Sequence, residues 1–256
     1  MRVAIMESPA GLLPGTGQWN TLSQQIHDAN PDVLITNEMP FGPWLAESKT
    51  YDPVLAQQTV GLHETGLEAL KALKIPTILS SRPVPAGDRL ANEAFTLVDG
   101  VYTVAHHKHY FPDEGGFYET AWYRPAVSGF QTVQAGELNV GFLLCTELFF
   151  NEWARHYRQQ GANLIAVPRA SGTSVDQWLA AARMAAIVSG CYVASSNRAG
   201  KVSKDLTFGG KGFCITPDGE ILGTTTPTNP ILTFTVDPAK AKSQQTKYPC
   251  YVKELE

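Results

Sequence analysis

Two patterns of apolar and polar positions alternate along this chain. Short, nearly continuous apolar runs are typical of buried strands, and longer windows with apolar residues three or four positions apart are typical of helices that face a core. Predicted strands span residues 3–6, 32–37, 77–80, 94–98, 101–105, 138–144, 163–167, 192–196, 208–216 and 231–236. Predicted helices span residues 19–29, 53–73, 150–160 and 175–189. Strands and helices that alternate in this way predict an α/β fold.

Turn signals refine this prediction. Pro76 follows the second helical window and ends it, because proline cannot continue a helix. Asp99 and Gly100 predict a two-residue hairpin, and the Pro-Asp-Gly sequence at 217–219 predicts a second turn between strands. Hairpins combined with helical crossovers predict mixed sheets. The order strand, helix, strand, helix and hairpin occurs once in each half, which predicts two packed sheets with helices outside.

Composition indicates an ordinary folded protein. Of 256 residues, 43% are hydrophobic and 17% charged, so disorder is not expected. No linker or short repeat divides the chain, and we predict one domain over residues 1–256. The polar segment 238–256 has few core-forming residues, and we expect it to pack on a partner subunit.

Charge and hydropathy exclude several partner classes. The net charge is −4 and no basic stripe is present, so nucleic acid is not a predicted partner. No apolar run approaches the roughly 18 residues of a membrane span. The chain begins with strand-like sequence and lacks a signal-peptide pattern, which favours a cytoplasmic location.

Cysteine and histidine positions give no metal-binding spacing. The four cysteines contain no Cys-x-x-Cys pair, and in a reducing compartment we expect free thiols. His106, His107 and His109 are close in sequence, but in a strand His106 points away from the other two. We therefore predict no metal ion and no cofactor.

Three residues with reactive or charged side chains close predicted strands. Cys145 ends an apolar run just before a helix, where open α/β folds place their ligands. Glu38 and Lys108 each close another strand. Taken one at a time, each residue has an ordinary structural interpretation: Cys145 as a small buried thiol, Glu38 as a surface carboxylate and Lys108 as a lysine at a sheet edge. Together they form a plausible catalytic set.

The chemistry of these groups is complementary. A thiol is a good nucleophile as the thiolate, which a nearby cation such as Lys108 stabilises. A carboxylate such as Glu38 can take the proton of the thiol and pass it to a leaving amine. A developing oxyanion needs donors, which Lys108 and the backbone N–H of Thr146 can supply.

The chain resembles the nitrilase, or carbon–nitrogen hydrolase, superfamily, whose Glu-Lys-Cys triad has this order and similar spacing. The resemblance rests on residues 37–42 around Glu38, on Lys108 with residues 112–119, and on residues 145–147 with Glu152. It continues through segments near 154–155, 161–168, 182–183 and 192–197 to 208–219. The ordered set spans nearly the whole chain.

The resemblance implies a four-layer α-β-β-α sandwich with two mixed β-sheets, paired into homodimers or larger homo-oligomers. It also implies that Glu119 is a second glutamate that positions Lys108 and the substrate; the alternative for Glu119 is a solvated loop carboxylate. Phe41, Tyr110 and Phe149 are predicted to contact the substrate. Tyr110 stands where the family often has histidine, so the subfamily is open.

The expected activity is hydrolysis of a small carboxamide through a thioester, with release of ammonia. Glu147 gives a Cys-x-Glu sequence found in nitrilases, which leaves cyano substrates as an alternative. N-carbamoyl substrates are a second alternative, although Leu148 and Phe149 stand where carbamoylases may place arginines. Arg169 is predicted to bind a substrate carboxylate, with pairing to a surface or interface acid as its alternative. A catalytically idle binding or assembly protein is the alternative from another class.

Overall fold

The computed structural model describes residues 1–126 and 129–253. Its strands are β1 (Arg2–Pro9), β2 (Val33–Ile35), β3 (Thr77–Ala86), β4 (Arg89–Val98), β5 (Val101–His107), β6 (Asp113–Glu114), β7 (Phe117–Tyr118), β8 (Val133–Ala135), β9 (Leu138–Phe142), β10 (Leu164–Arg169), β11 (Tyr192–Lys201), β12 (Thr207–Gly209), β13 (Phe213–Ile215), β14 (Ile221–Thr224) and β15 (Ile231–Thr235). Its helices are α1 (Gly17–Ala29), α2 (Pro53–Ala72), α3 (Glu119–Trp122), α4 (Asn151–Gln159), α5 (Asp176–Ser189) and α6 (Pro238–Gln245), with 3₁₀ turns at Leu45–Glu47 and Cys145–Phe149.

Two mixed sheets with the same internal pattern form the centre of the fold. In the first sheet the order is β15-β1-β2-β3-β4-β5, with parallel pairs β1/β2 and β2/β3 and antiparallel pairs outside them. In the second the order is β14-β13-β11-β10-β9-β8, again parallel in the middle, with β12 also beside β11. Strand β1 also pairs with β11 through Glu7, Ser8 and Pro9, which joins the two sheets at one edge.

The alternation of strand side chains produces the layers. Successive residues of a strand point to opposite faces, so Val3 and Ile5 enter the core between the sheets while Ala4 and Met6 face α1 and α2. The second sheet repeats this, with α4 and α5 covering its outer face. The result is the predicted α-β-β-α sandwich, and the prediction of two mixed sheets is confirmed.

The local turn predictions are also confirmed. Asp99 and Gly100 join β4 to β5 with φ of 50° and 78°, the left-handed conformations that a tight hairpin of this kind requires. Asp52 caps the N-terminus of helix α2, and its carboxylate accepts the N–H groups of Val54 and Leu55. The turn at Asp99 and Gly100 and the cap at Asp52 help to place the β4–β5 hairpin and α2 beside β3.

Several parts of the chain differ from the sequence-based expectation. The predicted strand 208–216 is two strands, because Gly210 and Lys211 adopt positive φ between them. Strands β6, β7, β8 and β14 and the short helix α3 were not predicted. The polar tail contains helix α6, whose Ala241 is buried in the core between the sheets.

The C-terminal tail makes several contacts within its own chain. The Gln245 amide donates to the carbonyl of Ala162 at 2.7 Å, and the Cys250 thiol lies 3.2 Å from the carbonyl of Ile187. The predicted packing of 238–256 on a partner subunit stays a prediction, and residues 254–256 lie outside the described residues. Among residues 1–126 and 129–253, none of the helices combines the length and apolar character needed to cross a membrane.

Candidate active site

Lys108 lies between two carboxylates. Its Nζ donates to Oε1 of Glu38 at 2.8 Å and to Oε2 of Glu119 at 2.7 Å. All three side chains have 0% exposed surface. Lys108 directly follows β5, and Glu119 begins α3 after the β6–β7 hairpin. The structure therefore brings three of the predicted residues into one buried ion-pair network.

The carboxylate of Glu38 has one engaged oxygen and one free oxygen. Oε1 accepts from Lys108 and also from Nδ2 of Asn92, at 2.8 Å. Oε2 is buried and has no hydrogen-bond partner among the described residues. A buried carboxylate oxygen without a donor is unfavourable, so Oε2 is the oxygen available to accept a proton from a neighbouring group.

Cys145 occupies the first position of a 3₁₀ turn after β9. Its φ is 52°, a left-handed conformation that a non-glycine residue adopts at a cost of about 1 to 2 kcal/mol. The side chain is 4% exposed, and Sγ lies 3.8 Å from the carbonyl oxygen of Ala170. Arg169 directly precedes Ala170, and its carbonyl oxygen accepts the backbone N–H of Glu38 at 3.3 Å. The end of β10 thus contacts both the thiol and the glutamate segment.

The charges of this network act on the thiol and on one another, because burial removes the water that would screen them. Burial opposes the charge of Lys108, but the carboxylates of Glu119 and Glu38 outweigh it and raise the pKa of Lys108 well above its ordinary value. Burial raises the pKa of the Cys145 thiol; Glu38 adds to the rise and Lys108 opposes it. The resting site is therefore a charged lysine beside a protonated thiol, and the thiol needs a base to react.

Glu119→Gln is expected to flatten the pH dependence of stability. Burial raises the pKa of Glu119 to about 8, with Lys108 opposing the rise and Glu38 adding to it. A carboxyl group whose pKa is raised on folding contributes stability at pH values below its ordinary pKa of 4.5. This contribution is lost as the pH rises toward the folded-state pKa of about 8. Glutamine does not titrate, so the variant should lose less unfolding free energy than the parent between pH 4.5 and pH 8. Urea unfolding across that range measures the difference, and equal pH slopes would contradict the expectation.

The predicted substrate-contact residues lie in three different environments. Phe41 is buried against Trp19 and His63 beneath α1 and α2, in a core cluster. The Tyr110 ring stacks on Phe150 with centroids 3.8 Å apart. Phe149 is 41% exposed and contacts the ring of Trp178. Thr146, the predicted oxyanion donor, follows Cys145 and is half-buried. These roles stay predictions.

Arg169 is fully buried and surrounded by neutral groups. Its guanidinium donates to the hydroxyls of Ser195 and Ser171, at 3.2 and 2.7 Å, and to the carbonyl of Lys211 at 2.9 Å. The ring centroids of Trp178 and Phe213 lie 4.9 and 5.1 Å from the guanidinium carbon of Arg169. Burial lowers its pKa to about 10. These contacts brace the end of β10, and carboxylate binding by Arg169 stays a prediction.

Two residues that sequence reasoning missed support Glu38. Asn92, in the middle of β4, bonds to the Glu38 side chain and accepts the backbone N–H of Lys108 on its carbonyl at 3.0 Å. Arg198 donates to the carbonyls of Met39 and Gly42, which follow Glu38 by one and four positions. No local sequence signal marks either residue, because both strands carry several other polar side chains.

A second polar cluster adjoins the network. His106, His109 and Glu147 present potential metal ligands within 4.8 Å of one another. The Glu147 carboxylate already bonds to His106 Nε2 at 2.8 Å, and Nδ1 of His109 already bonds to the carbonyl of His107 at 2.6 Å. The arrangement is that of a hydrogen-bonded network.

Comparison with known proteins identifies the family. The sequence model described as carbon-nitrogen hydrolase matches residues 8–246. N-carbamoylputrescine amidase of Solanum tuberosum is 28% identical over 139 residues, 48% of this chain and 46% of that protein. The chain thus aligns with less than half the length of that relative. The Arabidopsis thaliana N-carbamoylputrescine amidase is 27% identical over 221 residues, 78% of this chain and 73% of that protein.

A solved structure shares the fold. The carbon-nitrogen hydrolase from Helicobacter pylori G27 superimposes with a TM-score of 0.85 at 20% identity, covering 98% of this chain and 94% of the other. Because the family model matches nearly the whole sequence, this protein belongs to the carbon–nitrogen hydrolase family.

Proposed function

We propose that the protein hydrolyses a small carboxamide by cysteine nucleophilic catalysis, with Glu38, Lys108 and Cys145 as catalytic residues. The observation that carries the proposal is the buried Lys108, held by Glu38 and Glu119, whose charge acts on the strained Cys145 thiol. A carboxylate with a free oxygen, a thiol and a charged lysine supply the proton acceptor and donor, the nucleophile and the oxyanion partner that amide cleavage requires.

In the first half of the reaction, Oε2 of Glu38 takes the thiol proton and Sγ of Cys145 attacks the amide carbon. The carbonyl oxygen becomes an oxyanion, which the Lys108 ammonium and the Thr146 N–H stabilise. The carbon–nitrogen bond then breaks, and Glu38 returns the proton to the departing nitrogen. Ammonia leaves, and the acyl group remains on Cys145 as a thioester.

In the second half, a water molecule attacks the thioester carbon while Glu38 accepts one of its protons. The carbon–sulfur bond breaks, the proton passes to Sγ, and a carboxylic acid is released. Lys108 stays protonated throughout, because its raised pKa keeps the ammonium charged. Glu119 keeps Lys108 in place as a second acceptor.

N-carbamoyl compounds are the second candidate substrate class. The relatives from Solanum tuberosum and Arabidopsis thaliana are both described as N-carbamoylputrescine amidase. The same residues can attack a carbamoyl carbon, and ammonia is released in that case too. Substrate class therefore depends on the groups that bind the rest of the molecule, among which Arg169 is the proposed partner of a carboxylate.

Ammonia release over a substrate panel tests the proposal. The panel contains neutral aliphatic amides, acids with a distal amide, N-carbamoyl amines and nitriles. We expect release from at least one amide or carbamoyl class, and a preference for acids over matched neutral amides would support carboxylate binding by Arg169. The Cys145→Ala variant serves as the blank. No release above that blank from any member would contradict hydrolysis of a carboxamide.

A further inference from the structure

Glu147 accepts three hydrogen bonds although it has no exposed surface. Its Oε1 accepts the backbone N–H of His109 at 2.7 Å. Its Oε2 accepts the backbone N–H of Leu144 at 2.8 Å and Nε2 of His106 at 2.8 Å. Bonds to an ionised acceptor are about twice as strong as neutral ones, so this carboxylate is a firm anchor for all three donors.

The donors belong to opposite sides of the site. His109 directly follows Lys108, at the end of β5 in the first sheet, whereas Leu144 directly precedes Cys145, after β9 in the second. Glu147 itself lies within the turn that begins at Cys145. One side chain therefore connects the backbone next to the lysine with the backbone next to the thiol, across the boundary between the two sheets.

The third donor, His106, is a side chain and not a backbone group. Nδ1 of His106 accepts the backbone N–H of Phe130 at 3.2 Å. The His106 proton therefore lies on Nε2, which donates to Glu147. His106 contacts the carboxylate but joins neither of the two backbone segments to the other.

We propose that Glu147 is a positioning residue that sets the distance between the Lys108 ammonium and the Cys145 thiol. The left-handed conformation of Cys145 is unfavourable by itself, and the bond from Leu144 to Glu147 holds the turn in it. The bond from His109 fixes the lysine segment against the same carboxylate. This inference rests on the proposed function, because that function gives the lysine–thiol distance its importance.

The variant Glu147→Gln removes one of these connections. An amide has one accepting oxygen; when that oxygen faces Leu144 and His106, its NH₂ group faces the N–H of His109, and two donors repel. The lysine segment is then released while the cysteine turn is kept. Because a misplacement of 1 Å lowers rates about a hundredfold, we expect kcat to fall by about that factor, with KM changed less than about threefold.

Thiol alkylation supplies a readout that does not depend on the amide substrate. A more distant Lys108 stabilises the thiolate less, so the pH profile of iodoacetamide reaction at Cys145 should move to higher pH in Glu147→Gln. Glu147→Asp retains the charge and both oxygens on a shorter side chain, and we expect it to recover about tenfold of the lost kcat and to stay about tenfold below the parent. His106→Asn is the matched control: it removes the third hydrogen bond, keeps an acceptor near the N–H of Phe130, and should change kcat less than about threefold.

The outcomes separate this inference from the proposed function. If no amide is hydrolysed by the parent but alkylation still shifts in Glu147→Gln, the proposed function fails and the positioning role stands. An unshifted alkylation profile with kcat within threefold of the parent overturns the positioning role, as does an equal loss in His106→Asn. If Glu147→Gln does not fold, Glu147→Asp becomes the test of the inference. A tenfold lower kcat at unchanged KM in Glu147→Asp then supports it. Full activity or failure to fold in that variant overturns the inference.

Discussion

Cys145→Ala is expected to abolish hydrolysis, with kcat lowered by about a millionfold, as when the nucleophile of a catalytic triad is removed. The thiol is small, so its truncation should leave the fold intact. Ammonia release measures activity, and circular dichroism measures folding. Mass spectrometry after iodoacetamide treatment should show that the fast-reacting thiol of the parent is absent from the variant.

Cys214→Ala is the matched control for this variant. Cys214 is a buried cysteine of β13 in the core between the sheets, and its removal tests whether loss of any buried thiol impairs the enzyme. We expect it to retain activity and the fast alkylation. Undiminished turnover by Cys145→Ala would remove Cys145 from the mechanism.

Glu38→Gln is expected to lower kcat by about a thousandfold or more, which is the upper part of the range for a general base. Glutamine can keep the bond from Lys108 on its oxygen, but its NH₂ group stands where the free oxygen of Glu38 accepts a proton. Substrate binding should change little, so the loss should appear in kcat rather than in KM. Steady-state kinetics on the best amide of the panel measures both.

Glu93→Gln is the matched control for the glutamate variant. Glu93 is also a nearly buried carboxylate, next to Asn92 in β4, and it bonds to His107 at 2.9 Å and not to the ion-pair network. We expect kcat within about threefold of the parent. Equal losses in Glu38→Gln and Glu93→Gln would assign the effect to a buried charge in general and would contradict a base role for Glu38.

Much of the fold was predictable because its signals are local. Apolar runs and helical spacing located the major strands and helices, and the two turn sequences located hairpins. The family assignment is likewise confirmed. Strand β8 was missed because it has only three residues, too few to show an alternating pattern, and helix α6 was missed because most of its residues are polar.

Only part of the candidate site was predictable from the sequence. Glu38, Lys108 and Cys145 stood out because charge or a thiol at the end of a buried strand is unusual. The supporting contacts of Asn92, Arg198 and Glu147 were not predictable, because each joins segments far apart in sequence. Glu147, for example, bonds to His109 and His106, which precede it in the sequence by 38 and 41 positions. Distances of this kind are set by how the sheets pack, and no local pattern encodes them.

The division of the site between the two sheets has a consequence for the folding of the chain. Glu38 and Lys108 extend from strands of the first sheet, and Cys145 extends from a strand of the second. The last strand, β15, returns to pair with β1, so the first sheet is complete only when the C-terminal part of the chain has been made. A partly refolded chain in which only one sheet has formed therefore has either the lysine or the thiol in place, but not both. Regain of turnover reports the docking of the two sheets, and a refolding experiment that compares it with regain of helical signal would time that late step.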